Sequence, residues 1–241
     1  VRSVLQDPDL SAPLEGEVVP ENTTRAISLG AARANSDWTH SIGTAAYRVT
    51  NAALRAAPVL AWSADIGEGD SRKLRITADP VVSGGRVFTL DAGAQVVATS
   101  TSGAPLWSRD LTPSADKQGQ GTGGGLAVSG DTVYASVGFG VMAALDAATG
   151  AVRWTQDLDA SGSGTPTVFG DLVYVTAGDD TGWALNKSNG RIEWQTASTR
   201  SASNILGAPA PAISDGVSIF AFGSGEVLAT FRQGGLTRWQ A

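Results

Sequence analysis

Tryptophan recurs along this chain at a nearly constant interval. Trp62, Trp107, Trp154, Trp194 and Trp239 stand 45, 47, 40 and 45 residues apart. A period in the low-to-mid forties marks a sequence in which each repeat is one small sheet, stacked side by side with its neighbours about an axis. The expected fold is therefore all-β: a β-propeller of four-stranded antiparallel blades, each carrying its own tryptophan.

The residues leading to each tryptophan repeat as well. Ala144, Asp146, Thr149, Gly150 and Trp154 spell A-x-D-x-x-T-G-x-x-x-W, and Ala184, Asn186, Asn189, Gly190 and Trp194 repeat it with amides. Ala229, Gly234, Gly235 and Trp239 form a weaker copy with Phe231 in the acidic position, and Ala98, Ser102, Gly103 and Trp107 form one that is a residue shorter. Such a stretch reads as the hairpin between the two outer strands of a blade. Glycine takes the positive φ of the turn, Asp or Asn bonds the local backbone, and Ala leaves room for a ring. The indole then has a large apolar face to bury between blades.

Cut by these hairpins, the blades fall at about 77–111, 123–158, 164–198 and 207–241, each beginning with a short strand and a Gly- or Asp-rich turn. Within the second blade, Val133-Tyr134 is read as part of an alternating strand. Residues 59–65, around Trp62, read as an outer strand without three partners of its own before it. In a closed ring an N-terminal strand of this kind completes the last blade. The four blades either close on themselves or form about half of a larger ring, and the unaccompanied strand favours the larger ring. Residues 1–37, with Pro8, Pro13 and Pro20, read as an extended leader, and 38–58, with Trp38, His40 and Tyr47, as a segment that packs on the blades.

Charge and composition narrow the function. The net charge is −6, but Asp7, Asp9, Glu15, Glu17 and Glu21 against Arg2 place most of it in the first 24 residues, leaving a body near −2. A nucleic-acid binder needs a basic face, and a net acidic chain argues against one. No apolar run is long enough to span a bilayer. The chain has no cysteine, which excludes disulfides, thiolate metal sites and cysteine nucleophiles.

Other features carry weaker chemistry. Gly119-Gln120-Gly121-Thr122-Gly123-Gly124-Gly125 has the flexibility of a phosphate loop but lacks the Gly-Lys-Ser/Thr and the helix that such a loop needs. It reads as a crossover into the second blade, with Gly123 and Gly124 allowing close approach near the axis. Asp179-Asp180 reads as a solvated turn rather than a cation site, and Arg72-Lys73-Leu74-Arg75 as a solvated face. His40, the only histidine, lies near Asp37 and reads as structural or surface-placed. Asn22-Thr23-Thr24 matches a glycosylation sequon.

The hairpins resemble the repeats of pyrroloquinoline-quinone (PQQ) type propellers. Ala61-Trp62, Ser71-Arg72-Lys73-Leu74, Pro80-Val81-Val82, the run Val128-Ser129-Gly130-Asp131-Thr132-Val133-Tyr134 and Ala144-Leu145-Asp146 are similar to the BamB family, over about residues 37–241. The resemblance implies an eight-bladed ring in the periplasm, held at the outer membrane through a lipidated N-terminal cysteine that this sequence does not contain. It implies a non-catalytic scaffold that binds the periplasmic domains of the barrel-inserting protein BamA, with unfolded outer-membrane proteins as a further partner that it leaves open. In that family the loop entering the fourth blade carries a pattern like L-x-L-R-G. Here Asn204, Ile205, Leu206 and Gly207 occupy it, with Gly207 matching, Ile205 standing for the second apolar residue and Leu206 in the place of the arginine. The same repeats also build PQQ-dependent dehydrogenases, which the resemblance associates with an adjacent cysteine pair, a calcium site and a catalytic aspartate. With no cysteine here, no catalytic, metal or cofactor residue is assigned; a PQQ-dependent oxidoreductase-type propeller and a periplasmic ligand-binding propeller are the alternatives.

Overall fold

The computed structural model describes residues 26–46, 49, 51–117, 119–199 and 207–241. The chain divides into two units, Val1–Ala31 and Ala32–Ala241. Of the first, residues 26–31 are described, and they are irregular and exposed. Residues 1–25 of the expected leader, with its sequon, lie outside the described residues, as does Tyr47.

The second unit carries sixteen strands in four sheets, and no helix occurs among the described residues. The first blade is β1 (Val81–Ser83), β2 (Arg86–Leu90), β3 (Gln95–Ser100) and β4 (Pro105–Asp110). The second is β5 (Gly124–Ser129), β6 (Thr132–Val137), β7 (Val141–Asp146) and β8 (Val152–Asp157). The third is β9 (Thr167–Phe169), β10 (Leu172–Thr176), β11 (Thr181–Asn186) and β12 (Ile192–Ala197). The fourth is β13 (Ala212–Ile213), β14 (Val217–Ala221), β15 (Val227–Phe231) and β16 (Thr237–Gln240). Each blade is a simple antiparallel meander in chain order.

Burial explains why these segments are strands. β6 is buried at all six positions, not at alternate ones, because a middle strand of a blade has a neighbouring blade on each face. The alternation read at Val133-Tyr134 is therefore absent: both side chains are covered. Three apolar cores result, one per interface. Phe88, Val96, Leu126 and Val133 fill the first, Tyr134, Met142, Val173 and Trp183 the second, and Tyr174, Ile213, Phe220 and Leu228 the third. Among the outer strands, β4 is exposed at every position except Trp107, and β8 and β12 at every position except two alternate ones, the first of which is the tryptophan.

The tryptophans form a ladder from blade to blade. Trp107 Nε1 donates to Ala147 O at 3.1 Å, Trp154 to Lys187 O at 3.0 Å and Trp194 to Arg232 O at 3.1 Å. Each ring also lies on the turn glycine of the following hairpin: a Cβ built at Gly150 would fall 2.5 Å from Trp107 and one at Gly190 2.6 Å from Trp154, and one at Gly235 would strike Trp194. All three glycines have positive φ, so the turn and the indole both require the missing side chain. Behind the ring, Ala98, Ala144, Ala184 and Ala229 pair across the hairpin with their tryptophans, and the register shifts immediately afterwards in every blade. That recurring bulge turns the indole toward the next blade. Asp146 closes its turn by accepting from the N–H groups of Ala148 and Thr149, and Asn186 does so from Ser188.

Two departures from the expected strands have physical causes. Residues 59–65 form no strand pairing among the described residues, yet Trp62 takes its place in the ladder, donating to Thr101 O at 3.0 Å and lying on Gly103. The indole alone holds the position that a paired strand was expected to hold. β1, β9 and β13 also begin later than the blade starts expected at about 77, 164 and 207, because the chain before them bonds to the adjoining blade near the axis instead of to its own sheet. Thr77 Oγ1 donates to Gly124 O at 3.0 Å, and Thr165 N donates to Ala208 O at 3.1 Å.

Candidate functional site

Loops at two ends of the blades could meet a partner, and residues of different kinds build them. At the end where the crossovers enter each inner strand, the backbone is packed tightly. An added Cβ at Gly121 would lie 2.6 Å from the Phe139 ring, and one at Gly124, Gly125, Gly138 or Gly164 would collide with the neighbouring chain. The glycine-rich run is thus a close-packed crossover whose backbone is committed to neighbours. Of the four residues expected to bind a partner, Asn204, Ile205 and Leu206 lie outside the described residues. Gly207 has φ +73°, and a Cβ there would fall 2.8 Å from Thr77 Cβ, so its placement answers a close approach between the fourth blade and the first.

This end is also stapled by carboxylates. Asp180 was read as part of a solvated turn; it is 3% exposed, has φ +63°, and accepts from Gly223 N of the next blade at 2.7 Å. The correction follows from that bond, since a buried carboxylate needs a donor and the inter-blade turn supplies one. Asp179 bonds only locally, to Thr181 N. Replacing Asp180 with alanine strands the Gly223 N–H and lowers stability by about 2 kcal/mol, against well under about 1 kcal/mol for Asp179→Ala, as urea unfolding would read. Equal effects would remove the staple.

At the other end the short turns between first and second strands form a rim. An apolar pocket of about 390 Å³ opens there between the third and fourth blades, lined by Phe169, Ala212, Ile213, Val217 and Ile219, with Ser214 and Asp215 as polar members and Ala46 from the N-terminal segment. The Arg232 guanidinium lies 5.5 Å from the Phe169 ring centroid and its Nε donates to Asp215 O. An apolar side chain of a partner fits such a pocket, with Arg232 and Asp215 to fix its register. It stands at the opposite end of β13 from Gly207, so the structure does not join it to the expected loop. The sequence signal was a break in the repeat: Phe169 stands where Ser83, Ser129 and Ser214 stand in the other blades, and Ile219 where Phe88, Tyr134 and Tyr174 do.

Beside it on the rim, Arg153 binds Asp131 at 2.8 Å and Asp146 at 2.7 Å. These bonds from Arg153 hold both carboxyls at about 2, and they raise the guanidinium further above its usual range. All three groups are spent on one another, and exposed pairs of this kind contribute little to stability. Arg75 lies 3.6 Å from Asp70 on an exposed face. Among the described residues, no three His, Cys, Asp or Glu side chains converge as metal ligands.

The same rim meets the N-terminal segment. Trp38 exchanges two backbone bonds with Val82, Thr39 O accepts from Val128 N, and Ala45 O accepts from Ile213 N. His40, 6% exposed, receives the Val168 N–H on Nε2 at 3.1 Å. Burial lowers its pKa to about 4, and Nδ1 is left to donate to Thr39 Oγ1. His40 is thus structural, and its partner is the third blade.

Comparison with known proteins agrees with the repeat. The family model of the outer membrane protein assembly factor BamB matches residues 99–241. No protein of curated function matches the sequence. Among solved structures, BamB from Moraxella catarrhalis superposes with a TM-score of 0.56 at 21% identity, over 72% of this chain and 51% of that one. Quinohemoprotein alcohol dehydrogenase from Comamonas testosteroni superposes with a TM-score of 0.67 at 16% identity, over 87% of this chain and 41% of that one. A europium-containing methanol dehydrogenase gives 0.62 at 16% identity, over 85% and 48%. The chain spans about half the length of these proteins, and at such identities the likenesses show the fold alone. The family is carried by the match over residues 99–241, which takes in the last three blades and their tryptophan hairpins: the chain belongs to the family of the outer membrane protein assembly factor BamB.

Proposed function

We propose that this chain is a non-catalytic scaffold of the outer-membrane β-barrel assembly machinery, working in the periplasm and binding the periplasmic domains of BamA. The observation that carries this reading is the family match over the last three blades. Rigid blades stacked through the tryptophan ladder present loops at fixed spacing, which lowers the ordering cost of binding a protein partner. The crossover with Asn204, Ile205, Leu206 and Gly207 supplies the anchor expected from the family, with Leu206 making an apolar contact where a charged one stands elsewhere. The exposed outer strands also leave backbone groups on which a strand of an unfolded barrel protein can pair.

The test is a titration of this chain with the periplasmic domains of BamA. Saturable binding that falls at least about tenfold with Leu206→Asp is expected, because truncating a central apolar anchor removes more than about 1.4 kcal/mol. Binding that ignores Leu206→Asp would move the interface elsewhere, and failure of both this chain and a full-length relative to bind would overturn the reading. An oxidoreductase would instead show dye reduction on adding PQQ and calcium; no absorbance change and no reduction are expected.

A further inference from the structure

The inner strands of the four blades present backbone donors at one equivalent position. Val82, Val128, Val168 and Ile213 each lie immediately before the first turn of their blade, and each directs its N–H toward the segment Asp37–Ala45. Three of the four acceptors are main-chain carbonyls, of Trp38, Thr39 and Ala45, at 2.8, 2.8 and 3.4 Å; the fourth is the His40 ring. Trp38 N also returns a bond to Val82 O at 2.7 Å, completing a β-bridge. One short piece of chain therefore answers all four blades in turn.

We infer that the ends of the four inner strands form a binding site for an extended polypeptide, and that Asp37–Ala45 is its resident self-ligand. Recognition through main-chain carbonyls is indifferent to most side chains, as when a peptide adds to a sheet edge. The four donors belong to blades that keep their places through the tryptophan ladder, with no use of the segment. The segment itself carries local backbone strain. Ile42 adopts φ +59°, a left-handed conformation that a β-branched side chain resists, and its side chain is 50% exposed. Among the segment's side-chain bonds, Ser41 Oγ donates to Asp79 at 2.6 Å and Asp37 accepts from Gly84 N at 2.9 Å. A strained strap whose departure uncovers four aligned donors exposes them to any chain that presents carbonyls at the same spacing. The inference stands on this geometry and does not depend on the partner proposed above.

The probe is a fluorescent synthetic peptide of residues 36–46, titrated into the full chain. The cis segment competes at an effective concentration in the millimolar range, so the native chain is expected to bind the peptide weakly. His40→Ala removes one of the four acceptors from the strap alone, and is expected to raise apparent affinity for the unaltered peptide at least about fivefold by increasing the open fraction. In a chain that lacks other cysteines, Ser41→Cys with Asp79→Cys allows the strap to be closed by oxidation. Peptide binding is expected to vanish on oxidation and to return on reduction. Hydrogen exchange on the unaltered chain gives a second measure: the amides of Val82, Val128 and Ile213 should open together and faster than those of Val133 and Val173 in the blade interiors. Equal peptide binding by oxidised and reduced protein, no binding by His40→Ala, or exchange of the four-blade amides only with global unfolding would each overturn the self-ligand reading.

Discussion

Gly150→Val is expected to lower the free energy of unfolding by about 4 kcal/mol, whereas Gly130→Val lowers it by about 2 kcal/mol. Both glycines have positive φ, at +70° and +60°. The difference lies in what surrounds them. Nothing stands within 4 Å of a Cβ built at Gly130, while at Gly150 it lies 2.5 Å from the Trp107 ring of the preceding blade. Valine there combines the left-handed strain of a β-branched residue with an overpacked indole that cannot retreat, because its Nε1 is bonded to Ala147 O. Urea unfolding followed by tryptophan fluorescence reads both values. Equal losses would mean that backbone strain alone matters and that the ring does not depend on the glycine.

That comparison also shows why so much of the fold could be read from sequence. Each interface uses the same few parts, and those parts cannot be exchanged freely: a glycine that both turns and makes room, a carbonyl for the indole, an alanine behind the ring. Repeated constraints leave a repeated sequence, which is why Trp62 could be placed in the series although its own segment forms no strand. The inner strands were less legible. Their starts are set by bonds between blades near the axis, such as Thr165 N to Ala208 O, and no local pattern announces a bond to a residue 43 positions away.

The candidate sites were least legible for the same reason. The apolar pocket exists because Phe169 and Ile219 depart from the repeat, and a departure reads as noise until the register of the blades is known. Asp180 looked like surface because acidic turns usually are, and only its bond to Gly223 N explains its burial. The bonds from Trp38, Thr39, His40 and Ala45 join a segment without periodicity to four places spread over more than a hundred residues. Their register is set by the blades and not by the segment.

His40 makes that segment sensitive to acid. Burial lowers its pKa from 6.5 to about 4, and the Val168 N–H occupies the Nε2 lone pair that a proton would need. Above pH 6.5 the imidazole is neutral whether the chain is folded or not, and its full contribution is present. As pH falls from 6.5 toward 4, the unfolded chain takes up a proton that the folded chain refuses, so stability drops by about 3 kcal/mol and levels off once the folded form is protonated too. Asp131 and Asp146, held at about 2 by Arg153, cost stability only as the pH falls through the ordinary carboxylate value of 3.8 toward 2, where the unfolded chain takes up their protons first, so the interval between pH 6.5 and 5 reports on the imidazole. His40→Gln keeps an acceptor for Val168 N–H but does not titrate, and its stability is expected to stay flat across that interval. A wild-type protein that is equally stable at pH 6.5 and 5 would show that the imidazole reaches water, and with it that the bond to the third blade is not kept in solution.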